Sequence, residues 1–390
     1  MHSANSSDTT VTPAAGAPLR VLLVGDASNC HNALAVGLRK LGHEVVVASD
    51  GTRWMNTPRD IDLSRRFRGK TGGLELWLRL MWQRKAMTGF DVVSVASQDF
   101  IQLRPVRQLA LFDFLRRNNR HIFYTALATD SNYVDYALSH SCQLRYTEFL
   151  FGGKPTPYML HQGDLAREWL SEPLKSASNH ILDSVDGAVS VLYEYHRALL
   201  HKLPESKVAY GGIPIDVDAL QPVDRPAKLG KIRFLLGRHR NRVLEKGGEI
   251  LEAAARSVAG RFHDRCELMV VENLPYNEYL DRLRSAHVLL DQLYSHTPAT
   301  NALTAMAFGL AVVSGAEPEY YDFIGESSNR PIINGMPDYE TLTDTLTHLV
   351  THPEEIILRG RMGRDFVRRH NADTTVAHRF ASFWQSKLQV

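Results

Sequence analysis

The sequence predicts an α/β protein made of two domains, each built on a parallel sheet. Three observations carry this. Short continuous apolar runs, such as RVLLVG at Arg20–Gly25 and the VVVA of residues 43–50, read as strands buried on both faces. Helix-like stretches alternate with those runs. The alternation breaks off near Gly211 and resumes after a turn-rich segment, and a length of 390 residues fits two domains better than one.

The elements follow in order. Residues 1–18 are small and polar, lack the apolar core of a signal peptide, and read as a disordered leader. The first domain, 19–210, opens with the strand at Arg20–Gly25, a polar loop, the helix-like NALAVGLRKLG and the strand HEVVVASD, a β-loop-helix-β unit that starts a parallel sheet. Phe90–Ala96, His121–Ala128 and Gly187–Leu192 read as further strands. Residues 211–230 hold three prolines among turn residues and read as a linker. The second domain, 231–372, restarts the pattern at Ile232–Gly237, Cys266–Val271, His287–Leu293 and Leu310–Gly315. The last segment, 373–390, has helical spacing and could cross back to the first domain. Two such sheets leave a cleft between their carboxyl ends, where open α/β sheets bind ligands.

Composition narrows the class. Apolar residues make up 44% and charged residues 23%, as in globular proteins, and a net charge of +2 argues against a nucleic-acid binder. The three cysteines, Cys30, Cys142 and Cys266, lie far apart without metal spacing, so a reducing, cytoplasmic compartment is expected. No apolar run is long enough to span a bilayer.

Chemistry concentrates in the second domain. A strand ends at Gly237, and Arg238, Arg240, Arg242 and Lys246 crowd the loop before a helix opened by Gly247-Gly248. Guanidinium and ammonium groups at a strand's carboxyl end suit a diphosphate, although a solvated basic loop would look the same. Between two later strands lies Asn273-Leu274-Pro275-Tyr276, where Leu274 and Tyr276 could sandwich a flat base; an ordinary connection explains them equally. The segment SHTPATNALTAMAFG, residues 295–309, reads as a helix capped by Thr297, with Pro298 in its first turn and Gly309 closing it. Its front carries no carboxylate, which leaves its N–H groups open to an anion.

These features in this order resemble the C-terminal domain of GT-B fold glycosyltransferases of the glycosyltransferase family 4 type. The match rests on the strand ending in Gly237-Arg238, Glu245-Lys246-Gly247 opening a helix, AMAFGLAVV at 305–313, and KVAYGGIPID at 207–216. DQLYS at Asp291–Ser295, Pro298, Asn301-Ala302-Leu303, Gly315 through Tyr321 (GAEPEYY) and PIIN at Pro331–Asn334 are similar to a subgroup associated with polysaccharide assembly. The resemblance implies a GT-B architecture, two Rossmann-like parallel-sheet domains facing a cleft, and a nucleotide sugar held mainly by the second. Arg238 and Lys246 fall on the family's diphosphate-binding Arg and Lys, with Arg240 or Arg242 able to share the role of Arg238. Gly237, Asn273 and Leu274 fall on the donor site, and residues 297–302, including Thr297, Pro298 and Asn301, fall where backbone N–H groups approach phosphate and sugar. The family's two donor-binding glutamates correspond to His296 and Thr304 here, and Glu317 or Glu319 could supply a carboxylate instead.

In the first domain, Asp130 lies near a polar catalytic position of the family, though an Asp after a strand also reads as a helix cap. His161 and the loop residues Asp26 and Ser28 are candidate acceptor-side groups. Residues 53–85 are the most basic part of the chain, with Leu74, Leu76, Trp77, Leu78, Leu80, Met81 and Trp82 interleaved, a composition that suits an anionic membrane surface or a partly packed helix. The expected function is transfer of a hexose from a nucleotide sugar to a glycan or lipid-linked acceptor, with anomeric retention, no metal, and no cofactor beyond the donor itself. A catalytically silent scaffold and a sugar-nucleotide epimerase share the fold and remain open.

Overall fold

The computed structural model describes residues 17–224, 228–238 and 242–388. The leader (except its last two residues), linker positions 225–227, Arg240 and the final two residues lie outside the described residues.

The first domain is a seven-stranded sheet between helices. Its elements run β1 (Arg20–Val24), α1 (Cys30–Lys40), β2 (Glu44–Ser49), β3 (Ile61–Asp62), α2 (Gly69–Gln83), β4 (Val92–Ala96), α3 (Pro105–Asn118), β5 (His121–Ala126), α4 (Ser131–Leu138), the two-residue strands β6 (Leu150–Phe151) and β7 (Lys154–Pro155), α5 (Pro157–Trp169), α6 (Glu172–Ser184), β8 (Gly187–Ser190), α7 (Tyr193–Lys202) and β9 (Val208–Tyr210). The sheet order is β3-β2-β1-β4-β5-β8-β9, and all its pairings are parallel. Val21 through Val24 are fully buried because helices cover both faces, which is why the strand is uniformly apolar.

The second domain runs β10 (Ile232–Arg238), α8 (Val243–Lys246), α9 (Gly248–Arg261), β11 (Cys266–Glu272), α10 (Tyr276–Ser285), β12 (Val288–Leu290), α11 (Thr300–Ala307), β13 (Ala311–Ser314), α12 (Pro318–Phe323), β14 (Ile333–Asn334), α13 (Tyr339–Thr351), α14 (Pro353–His370) and α15 (Asp373–Leu388). Its sheet, β11-β10-β12-β13-β14, is also parallel. In each sheet the strand order reverses beside the domain's first strand, β1 or β10, and such switch points form crevices at the strands' carboxyl ends. The two crevices face each other.

The last helix, α15, packs on α1 of the first domain. Gly37 makes this possible, since a Cβ there would overlap the Asp373 carbonyl. Trp384 and Phe380 are buried in the joint, with the Trp384 ring 6.0 Å from Phe123. Backbone bonds Ile215 N–H to Asn371 (2.7 Å) and Asp373 N–H to Ile215 (2.9 Å) zip the start of the linker to this crossing.

Candidate active site

Two adjoining cavities, each of about 430 Å³, fill the cleft. The first is bordered by the carboxyl ends of β10 and β11 (Gly237, Arg238, Glu272, Asn273, Leu274), by Tyr276, Tyr279 and Leu280 of α10, and by Thr304, with Trp54 and Met55 reaching in from the other domain. The second is walled by Tyr133, Glu148, Tyr158, Trp169, Glu194 and Tyr195 of the first domain. Ser28, Arg242, Lys246, Thr300 and Asn301 border both, so the two spaces meet at Lys246 and the front of α11.

The floor at that junction is a polar chain. Lys246 Nζ lies 3.3 Å from Asp291 Oδ1, which also accepts from Asn301 Nδ2 at 2.9 Å. Tyr279 Oη donates to Asn301 Oδ1 at 2.6 Å. Asp291 is almost fully buried at the end of β12, so it holds the ammonium in place while Lys246 stays partly exposed to the cavity. Arg238 is half-exposed, 3.4 Å from Glu252 and 3.9 Å from Glu272. Arg242 is bonded to Glu245 at 2.8 Å.

Several residues assigned to the donor from the sequence stand elsewhere. Helix α11 begins at Thr300 with Ala299 at its cap position, so Thr297 does not cap it and Pro298 precedes it. The Thr297 hydroxyl instead donates to Glu194 Oε2 at 2.6 Å and accepts from Tyr193 N–H at 3.1 Å. His296 is buried behind the cleft wall, its Nε2 3.1 Å from the Tyr146 carbonyl and its ring 4.6 Å from the Tyr146 ring. Glu317, also buried, accepts from Tyr146 Oη at 2.6 Å, Asn334 Nδ2 at 2.9 Å and Arg145 at 2.7 Å. None of His296, Thr297, Pro298 or Glu317 borders either cavity; His296, Thr297 and Glu317 instead bond to the first domain. Thr304 borders the first cavity but donates to the Thr300 carbonyl at 2.8 Å. The loop before α11 can pack this closely because a Cβ at Gly315 would overlap the Ser295 carbonyl and none is there.

On the first-domain side, Asp130 caps α4, accepting from Tyr133 N–H at 2.7 Å and from the Tyr124 hydroxyl. Both its oxygens are engaged and it borders neither cavity, so it is a cap rather than a cleft acid. His161 is exposed on α5 and lines neither cavity. Asp26 turns away from the cavities to accept the His31 and Asn32 N–H groups at 2.9 and 3.2 Å, and burial pushes its carboxyl up to about 7. Ser28 remains at the junction.

Sequence reasoning passed over Glu148, Glu194 and Trp54, whose roles come from tertiary neighbours. Glu148 is buried, accepts from Tyr133 Oη at 2.6 Å, and is pushed up to about 8 by burial. Two Asp-x-Asp triplets exist, Asp60–Asp62 and Asp216–Asp218, and both are engaged away from the cavities. Asp60 accepts from Arg39, Asp62 from Arg59, and Asp216 and Asp218 pair with Lys40. Among the described residues no cluster of His, Cys, Asp or Glu is arranged to hold a metal.

The chain is similar in structure to sucrose-phosphate synthase from Thermosynechococcus elongatus, with a TM-score of 0.61 and 14% identity over 94% of this chain and 98% of that one. HepE from Anabaena in complex with UDP-glucose gives a TM-score of 0.58 at 11% identity, over 94% of this chain and 100% of that one. UDP-GlcNAc 2-epimerase from Neisseria meningitidis bound to UDP-GlcNAc gives 0.52 at 12% identity, over 95% and 100%. No family model and no curated protein matches the sequence. At these identities the likeness establishes the fold, the GT-B architecture of two Rossmann-like domains facing a cleft.

Proposed function

We propose that this chain is a glycosyltransferase that moves a hexose from a nucleotide sugar to a glycan or lipid-linked acceptor in polysaccharide assembly. The observation that carries this reading is the meeting of the two cavities at Lys246, Asn301 and the front of α11. The first cavity has an aromatic-lined end suited to a base; the second, walled by tyrosines, Trp169 and carboxylates, suits a carbohydrate. A diphosphate joining base to sugar would span their junction. There Lys246 supplies a point charge and Arg242 a guanidinium, and Arg238 adds a second guanidinium from the first cavity.

The main task of transfer is to stabilise the departing diphosphate. A cation anchored by Asp291 and the N–H groups opening α11 are fixed before the reaction, so they need no reorganisation as charge develops. The neighbours crystallised with UDP, UDP-glucose and UDP-GlcNAc support a uridine nucleotide as the first donor to try.

The lipid-linked form of the acceptor draws support from α2. Phe67, Leu74, Leu78 and Trp82 are 59%, 48%, 61% and 84% exposed and border one shallow surface groove. Around them Arg66, Arg68, Lys70, Arg84 and Lys85 are exposed, and between residues 63 and 87 the sequence holds one acid, Glu75, which pairs with Arg79. An apolar strip framed by cations is complementary to an anionic bilayer surface. Among the described residues no helix is long and apolar enough to cross a membrane.

An epimerase reading is favoured by one observation, the fold shared with the UDP-GlcNAc 2-epimerase. Incubation with a panel of nucleotide sugars, with and without a lipid-linked glycan, decides between them by mass spectrometry. Transfer gives free nucleoside diphosphate and an acceptor heavier by one hexose. Epimerisation gives, without acceptor, an isomer of unchanged mass that chromatography ahead of the mass spectrometer resolves from the donor. Neither product from any donor would sink both.

A further inference from the structure

We infer that Trp54, with Met55 beside it, is a lid contributed by the first domain over the nucleobase of a nucleoside diphosphate bound to the second. The inference rests on the donor site proposed above and deepens it. The base end of the first cavity is formed by Leu274, Tyr276, Tyr279 and Leu280 from one domain and by Trp54 and Met55 from the other. The Trp54 ring stands edge-on to Tyr276 at 5.2 Å and to Tyr279 at 6.3 Å, each at an interplanar angle of 80°. Yet Trp54 is 57% exposed, so an indole is held across a domain boundary with most of its surface uncovered. A tryptophan placed for packing would bury its face.

The backbone that presents it is constrained. Trp54 lies on a short 3₁₀ turn, Arg53–Met55, between β2 and β3. Gly51, Thr52 and Asn56 around that turn have φ of 71°, 51° and 47°, the left-handed region that β-branched threonine rarely enters. Thr57 N–H to the Gly51 carbonyl (2.9 Å) closes the loop, Thr52 N–H is held by Asp50 (3.1 Å), and Arg59 ties Asn56 (3.0 Å). The loop is thus braced to aim one aromatic side chain at the other domain's pocket. A base seated in the cavity beside the touching Trp54–Tyr276 pair would meet Trp54 and Met55 from one domain and Leu274, Tyr279 and Leu280 from the other, and each domain would gain contact only when the cleft is closed. Base binding and closure are then one event.

Pyrophosphate, which has no base, separates this role from a general effect on the cleft. Calorimetric titration of the full chain with UDP and with pyrophosphate is compared for wild type, Trp54→Ala, Trp54→Phe and Lys246→Ala. Base–aromatic stacking predicts that Trp54→Ala weakens UDP about tenfold or more while pyrophosphate affinity stays within about twofold. Trp54→Phe, which keeps a ring, should recover most of the loss, and Lys246→Ala should weaken both ligands. Equal UDP affinity in Trp54→Ala and wild type would overturn the lid and leave the donor site standing. Equal weakening of UDP and pyrophosphate in Trp54→Ala would also overturn it, by making Trp54 a structural prop. Failure of the wild type to bind UDP, ADP or GDP would overturn the donor site and the lid together.

Discussion

Glu194 of the first domain and Thr297 of the second are joined by two hydrogen bonds, from the Thr297 N–H at 3.0 Å and from its hydroxyl at 2.6 Å. The same carboxylate accepts the His296 N–H at 2.6 Å and the Ser295 hydroxyl at 2.9 Å. All four residues are buried. One carboxylate therefore collects the polar groups of the loop that leads into α11, and that loop sets where the front of α11 sits. Replacing Glu194 by alanine leaves the His296 N–H and the Thr297 hydroxyl buried without their acceptor, while the Ser295 hydroxyl keeps the Thr297 carbonyl at 2.6 Å, a cost of about 1–3 kcal/mol. Glu194→Ala should lower the melting temperature and enlarge the protein's hydrodynamic radius as the cleft opens. An unchanged melt and radius would show that the bonds across the boundary do not hold the domains closed.

Lys246 tests the diphosphate assignment. Its ammonium is anchored by Asp291 and exposed to both cavities, and Arg238 and Arg242 are already bonded to Glu252 and Glu245. Lys246→Ala should therefore lower turnover at least tenfold, about 1.4 kcal/mol of transition-state stabilisation. Lys246→Arg, which keeps a cation, should lose less. Steady-state rates on a matched donor and acceptor check both, and full activity in Lys246→Ala would refute the assignment.

How much of this the sequence showed depends on how local each cause is. The strands around Val21–Val24 and Phe234–Leu236 are visible because burial on both faces makes the run itself apolar. The basic loop at Arg238–Lys246 and the turn at Asn273–Leu274 are visible because they follow such strands directly. Glu194 is invisible: it is one of 43 acidic residues, and its partners lie about 100 positions away. The same contact misled the reading of Thr297. A threonine before an apolar run looks like a cap, but its hydroxyl is drawn to Glu194 and the helix starts three residues later. Glu317 has the right chemistry and neighbourhood in sequence to replace the absent donor carboxylates, but Tyr146 and Arg145, far away in the chain, engage it instead. For Asp130 the local reading as a cap holds, because capping depends only on its neighbours in sequence.

The exposed strip on α2 makes a prediction about surfaces. The protein should co-sediment with vesicles containing phosphatidylserine and not with neutral phosphatidylcholine vesicles, and binding should fall as salt rises. Each cation near the surface contributes about 1 kcal/mol, and the apolar side chains add burial in the headgroup region. Leu78→Glu with Trp82→Glu should abolish binding without loss of stability, since both side chains are already exposed. Equal sedimentation of this double variant and wild type would assign the strip to something other than lipid.

Glu148 makes stability depend on pH in a direction that can be worked out. Burial raises its carboxyl from 4.5 to about 8, so between those values the folded protein binds a proton that the unfolded chain has lost. Stability present below about pH 4.5 is then lost as pH rises toward 8, by up to about 1.4 kcal/mol per unit. Buried His31 and half-buried His196 act the opposite way, because desolvation lowers each to about 4 and their cost falls at acid pH. A melt of the wild type alone mixes these effects. Glu148→Gln keeps both histidines, so the difference between the two proteins isolates the carboxyl. Glutamine retains an oxygen to accept from Tyr133 and cannot ionise. The wild type should lose stability relative to Glu148→Gln steadily from about pH 5 to pH 8, with the difference levelling off above that. A difference that stays flat across this range would mean that Glu148 ionises normally in the folded protein, with water reaching it through the second cavity.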